Sequence, residues 1–168
     1  YLECVEKGGE IQSFFDKEKG KELMYQGNQA WTGKNPSLFP IIGNTASKDY
    51  QIHGKTYAMK NHGLIRYATL KGEQKENSIV FTFEDNEDTL KQYPFHFRLA
   101  VTYTLQDNTL STTYQITNTD NKELFYNIGA HDTYAISTDY ENYEIEYECA
   151  ENLVKNGLRV VRVEKGEE

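Results

Sequence analysis

Two histidines, His62 and His131, each lie beside a glycine at the end of a strand-like run. They occur in Asn61-His62-Gly63-Leu64-Ile65-Arg66 and in Asn127-Ile128-Gly129-Ala130-His131-Asp132. Imidazole gains and loses a proton near neutral pH, so two that converge beside an arginine would make a proton-transfer site. Gly63 lets the backbone bend or approach a ligand closely. Pattern alone leaves both histidines open to a purely structural reading, and no partner carboxylate stands out. The other two read as structural. His53-Gly54 has the composition of a tight hairpin tip, and His96 falls on the polar face of a long strand, facing solvent or a neighbouring strand.

Other chemistries lack their residues. No pair of histidines or cysteines has short metal-ligand spacing, and His131 and Asp132, being adjacent, would point to opposite sides of an extended strand. A G-x-G-x-x-G phosphate loop is missing, and Ser37 and Ser47 have no nucleophile-elbow context.

The elements that must position these residues read as strands. Phe95, Phe97, Leu99, Val101, Tyr103 and Leu105 alternate with more polar residues, Asp107-Asn108 turns the chain, and Leu110 to Asn118 continues the alternation. A period of two on both sides of a turn predicts a long antiparallel hairpin. Ile79, Phe81 and Phe83 predict an earlier strand, as does Leu2 to Val5. Leu124 to Ile128, Tyr143 to Tyr147 and Leu158 to Val163 predict later ones. One helical turn is expected over Asn86 to Gln92, capped by Asn86 and stopped by Pro94. Gln26 to Pro40 should be an ordered loop, because Trp31, Leu38 and Phe39 need burial. Many strands and almost no helix predict an all-β sandwich.

Length and charge narrow the classes further. The 168 residues suit one domain or part of a larger one, and the 13 tyrosines and eight phenylalanines supply a core despite 38% apolar content. A net charge of −8 has the wrong sign for a nucleic-acid backbone. No apolar run approaches the ~20 residues of a membrane span, and no basic segment followed by an apolar one opens the chain. Cys4 and Cys149 form no disulfide framework, so reduced thiols and a cytoplasmic location are expected. The chain begins and ends as if inside a larger sequence.

Taken in order, several stretches are similar to the aldose 1-epimerase family of the LacX type, within the galactose mutarotase-like superfamily. They are Gly8-Gly9-Glu10-Ile11-Gln12-Ser13, Glu22-Leu23-Met24-Tyr25-Gln26-Gly27, Pro36-Ser37-Leu38-Phe39-Pro40-Ile41-Ile42-Gly43, His62-Gly63-Leu64-Ile65-Arg66, Tyr93-Pro94-Phe95-His96-Phe97 and Asn127-Ile128-Gly129-Ala130-His131. The resemblance covers nearly the whole chain and implies a single antiparallel β-supersandwich domain over residues 1–168, corresponding to the N-terminal part of the family. It implies interconversion of the α and β anomers of a hexose, with no cofactor and no metal. His131 matches the family's acid, which protonates the ring oxygen, and His62 the second histidine, which binds the sugar near that oxygen. Arg66 matches an arginine that contacts substrate, orienting hydroxyls or a phosphate where the sugar carries one.

The family's base is a glutamate in its C-terminal half, so residues 1–168 alone are expected to be inactive. The partner is a small sugar, not nucleic acid or membrane, and self-association into a homo-oligomer stays open. Asn44, Tyr67 and Asp132-Thr133-Tyr134 stand where relatives commonly have arginine, aspartate and Pro-Ala-Phe. These departures leave two alternatives beside the isomerase: a carbohydrate-binding or sensing domain without turnover, and a hexose-6-phosphate 1-epimerase.

Overall fold

The computed structural model describes residues 1–29, 31–47, 49–137, 140–144, 151–156 and 159–165. They fall into two compact units, Tyr1–Ala135 and Ile136–Glu168. The strands of the first unit are β1 (Leu2–Val5), β2 (Glu10–Asp16), β3 (Lys21–Glu22), β4 (Ser37–Leu38), β5 (Asp49–Ile52), β6 (Lys55–Ala58), β7 (Lys71–Gln74), β8 (Ser78–Glu84), β9 (Phe97–Gln106), β10 (Thr109–Asn118) and β11 (Gly129–Ala130). A single α-helical turn, α1, spans Glu87–Leu90, and Ile65–Tyr67 makes a 3-10 turn.

Alternation builds the main sheet, whose strand order is β10-β9-β8-β7, antiparallel throughout. Along β9 the residues Phe97, Leu99, Val101 and Tyr103 are buried, while Arg98, Ala100 and Thr102 face the other way. Pairing places Phe81 beside Val101 and Phe83 beside Leu99 on β8, with Tyr114 and Ile116 opposite Val101 and Leu99 on β10. The expected hairpin is present, with Gln106 paired to Thr109 and Asp107 in the left-handed region at φ 52°. His53-Gly54 turns β5 into β6 with φ 49° and 77°, as a two-residue hairpin tip requires.

A three-stranded sheet, β1-β2-β3, contributes Ile11 to the same core. The Tyr103 hydroxyl donates to the Gly9 carbonyl at 2.8 Å, tying the β1–β2 turn to β9 in a buried contact. Ile11, Met24, Phe39, Leu64, Ile65, Leu70, Phe81, Tyr93, Phe95 and the inward face of β9 form one apolar cluster. Its aromatic rings meet at centroid distances of 4.8 Å (Tyr93–Phe95) and 5.0 Å (Phe39–Phe97), each such pair worth roughly 0.5–1.5 kcal/mol beyond area burial.

The second unit holds a 3-10 turn, Tyr140–Asn142, and an antiparallel pair of strands, β12 (Glu151–Asn156) and β13 (Arg159–Lys165). Among the described residues no helix is long and apolar enough to cross a membrane.

Several expectations are corrected. Leu124 to Ile128 is not a strand; the ladder begins only at Gly129, and Phe125 and Tyr126 are exposed where a buried strand would hide them. Tyr143 and Glu144 follow the 3-10 turn outside any strand, and the rest of that expected strand lies outside the described residues, as do Cys149 and Leu158. Asn86 caps α1 as expected, its side chain accepting from the Asp88 and Thr89 amides, but the helix ends at Leu90. His96 precedes β9 rather than lying on it, and its ring meets Asp85 at 2.7 Å.

Candidate functional site

Residues 36–40 form a strut with one histidine-bearing segment on each side. Extended backbone points successive carbonyls in opposite directions, which is what separates the two. On one side, Gly129 and Ala130 of β11 pair with Leu38 and Ser37 of β4. The Asn127 amide donates to the Pro40 carbonyl at 2.9 Å, and the His131 amide to the Pro36 carbonyl at 3.1 Å. On the other side, the Phe39 carbonyl accepts from the Leu64 amide at 2.7 Å, next to a bridge between Phe39 and Gly63. The strut is anchored by Phe39, fully buried and packed on Phe97 of β9 and, edge to face, on Tyr93. The core of the main sheet therefore sets the position of both histidines.

Gly63 is where backbone crosses backbone. It adopts φ 81°, and a Cβ built on it would lie 2.2 Å from the Phe39 carbonyl oxygen, far inside van der Waals contact. His62 just before it is also left-handed, at φ 66°, a conformation that costs a non-glycine residue roughly 1–2 kcal/mol. A pair of hydrogen bonds with Gly43 compensates. The His62 amide donates to the Gly43 carbonyl at 2.7 Å, and the Gly43 amide donates to His62 Nδ1 at 3.0 Å.

This scaffold brings His62 and His131 together, their ring centroids 5.7 Å apart and nearly perpendicular at 83°. Trp31 backs His131 on another side at 5.1 Å, and Tyr25 stacks on Trp31 at 5.9 Å with 12° between the planes. Burial first, then the Arg66 guanidinium, then His131, hold His62 below the ordinary imidazole range. Arg66 is partly exposed, its guanidinium carbon 5.2 Å from the Tyr67 ring. The Asp132 side chain keeps solvent contact, yet crowding by protein raises its carboxyl above the usual range while the neighbouring His131 draws it back down.

Among the described residues no group of three His, Cys, Asp or Glu side chains converges as a metal would need. The Cys4 thiol is partly buried, and that burial pushes its pKa up to about 12, which keeps it protonated and unreactive. A separate cavity of about 630 Å³ lies between the β5–β6 hairpin and residues 124–127, with Tyr50, Tyr93 and Tyr126 in its wall. It touches the strut at Pro40 and holds neither His62 nor His131.

Two further residues complete the site. Sequence pattern gives Trp31 a burial requirement and an indole face able to stack on sugar C–H groups but not the residue it meets, and gives Gly43 only a place at the end of a motif. The signal for Gly43 is weak: a glycine before Asn44 that permits positive φ, here 77°, but is remote in sequence from the histidine it grips.

An antiparallel β-sandwich with almost no helix is the fold of the galactose mutarotase-like class of protein, and solved structures agree. The chain is similar to a galactose mutarotase related enzyme from Lactobacillus acidophilus, at 34% identity and a TM-score of 0.79 over 83% of this chain and 47% of that one. It is also similar to a galactose mutarotase-like protein from Lactobacillus casei ATCC 334, at 30% identity and a TM-score of 0.82 over 98% of this chain and 60% of that one. The aldose 1-epimerase family model matches residues 2–162, and the chain belongs to that family. The LacX proteins of Lactococcus lactis subsp. lactis, plasmid and chromosomal, are 32% identical over 158 residues, 86% of this chain and 52% of theirs. The chain thus spans about half the length of those relatives.

Proposed function

We propose that the protein is an aldose 1-epimerase-like isomerase that interconverts the α and β anomers of a hexose, with His131 as acid and His62 and Arg66 as sugar-binding residues. The observation that supports it most is the edge-to-face meeting of His62 and His131 at 5.7 Å, beside Trp31. A base takes the proton of the anomeric hydroxyl while His131 gives a proton to the ring oxygen. The bond from the anomeric carbon to the ring oxygen breaks, and that carbon becomes an aldehyde. Rotation about its bond to the next carbon exposes the other face, and the reverse transfers close the ring and return both protons. An acid of this kind contributes roughly 10²–10⁴-fold. On the family resemblance the base is a glutamate of the C-terminal half, so turnover belongs to the full-length protein.

Polarimetry on freshly dissolved α-glucose and α-galactose tests the reading. With full-length protein, His131→Ala is expected to lower the catalysed rate by roughly 10²-fold or more. Equal rates for the two proteins would remove His131 from the mechanism. Tighter binding of glucose 6-phosphate than of glucose, lost in Arg66→Ala, would assign a phosphorylated substrate.

A second reading, a sugar-binding domain without turnover, is favoured by Asp132 next to His131 and by the indole of Trp31 beside the His131 ring. Indole faces stack on sugar C–H groups. Calorimetric sugar binding that depends on Trp31, with anomerisation at background in the full-length protein, would establish it.

A further inference from the structure

We propose that Gly43 is a positioning residue: its main-chain amide locks His62 as the neutral Nε2–H tautomer, leaving His131 as the histidine that exchanges protons. The first half stands on geometry alone; the assignment of the exchange to His131 rests on the isomerase reading above.

A backbone N–H can only donate, so the atom it meets must offer a lone pair. The Gly43 amide lies 3.0 Å from His62 Nδ1, which therefore carries no proton. A neutral imidazole has one N–H, and it must sit on Nε2. Half a turn of the ring would set a C–H against the Gly43 amide and leave that donor unmet. The return bond, from the His62 amide to the Gly43 carbonyl at 2.7 Å, closes a ring of two hydrogen bonds that fixes the imidazole to the backbone.

Protonating Nδ1 would break the first of these bonds and set two donors face to face. The groups around His62 add to the cost. Arg66 on its own segment and His131 on the facing one both act on its ring, and each opposes a positive charge there. His62 thus has no proton to release as an imidazolium and no free lone pair to act as a base. What remains is a fixed Nε2–H that can donate a hydrogen bond to a sugar oxygen. His131 is held differently. Its main chain is tied to Pro36, and its ring packs against Trp31 and His62 with no hydrogen bond to it among the described residues.

Long-range proton–nitrogen spectra of protein labelled with ¹⁵N in its histidines, recorded without sugar, test the lock. At neutral pH His62 is expected to show one protonated and one bare nitrogen, the bare one being Nδ1. Near pH 6.5, where an unperturbed histidine is about half charged, its neutral pattern should persist. The peak is identified by its loss in His62→Gln. Mixed tautomers, or titration at the ordinary value, would overturn the proposal.

Replacing Gly43 by glycolic acid puts an ester where the amide was and deletes only the N–H. His62 should then show both tautomers and protonate at higher pH, whereas an unchanged spectrum would also overturn the lock. Gly43→Asn keeps the N–H at a residue type that accepts positive φ, and should keep the single-tautomer pattern. No measurement here involves turnover, so failure of the isomerase reading would show separately, in the polarimetry.

Discussion

The main sheet and the strut layer beside it are held by different forces. In β8, β9 and β10 stability comes from side chains: period-two burial, cross-strand apolar pairs and an aromatic cluster, each contact backed by several others. In residues 36–43, 61–66 and 127–131, Phe39, Leu64 and Ile65 anchor the layer in the core, but the segments that carry the histidines are placed by individual main-chain hydrogen bonds and by close backbone approach at Gly63. A sheet of the first kind tolerates change because many small terms share the load. The strut layer concentrates its geometry in a few atoms, which suits a site that must hold two rings at a fixed separation but leaves it easy to break.

The largest expected effect is at the crossing. Gly63→Ala places a Cβ where the Phe39 carbonyl oxygen already lies, and no flexible side chain can move aside. The strut must open, at a cost on the order of 4 kcal/mol in denaturant unfolding, the range reserved for strain and steric overlap. A loss below about 1 kcal/mol would show that the layer adapts as the sheet does, and the contrast would fail.

Leu99→Ala probes the other side. Leu99 is fully buried between Phe83 and Ile116, and truncating it leaves a cavity that costs roughly 2–5 kcal/mol. Here, unlike at Gly63, the site should survive the loss, with the folded protein retaining the His62–His131 pairing in its histidine spectra. Thr113→Ala, on the exposed face of β10, should stay within about 0.5 kcal/mol.

The same contrast explains what was legible in the sequence. The β9–β10 hairpin follows from alternation and a turn, because side-chain burial writes itself into residue type at every second position. The capped turn at Asn86 and the His53-Gly54 tip are local chemistry and were equally readable. The pairing of His62 with His131 came from the order of motifs, since no periodicity reports that two distant loops share a strut. The Gly43 contact on Nδ1 had no signal beyond a glycine, because a backbone amide is common to nearly every residue. Leu124 to Ile128 misled for a related reason: an apolar run reads as a strand, but here only Gly129 and Ala130 find a ladder partner, and Phe125 is left 59% exposed.

Acid offers the finest test of the contrast, through Glu22. Burial pushes this carboxyl up, but hydrogen bonds from the Ser13 hydroxyl and from main-chain amides that include Met24 and Phe14 outweigh it and leave the group below its usual range. The bonds fix the start of the segment that meets residues 133–135, where the Tyr25 amide donates to the Thr133 carbonyl at 3.1 Å and the Ala135 amide to the Leu23 carbonyl at 2.9 Å. Glu22 therefore braces the stretch just after His131. A carboxyl whose folded pKa is depressed stabilises fully above its unfolded value of about 4.3 and loses that contribution as pH falls through the folded one. Amides of residues 23–25 and 133–135 should lose hydrogen-exchange protection on acidification below that value, before those of β9 do. Glu22→Gln, which cannot titrate, should flatten the acid response of the segment and leave β9 unchanged. Equal acid sensitivity of the two regions in both proteins would mean that the layer and the sheet open as one unit, and that the brace at Glu22 adds nothing local.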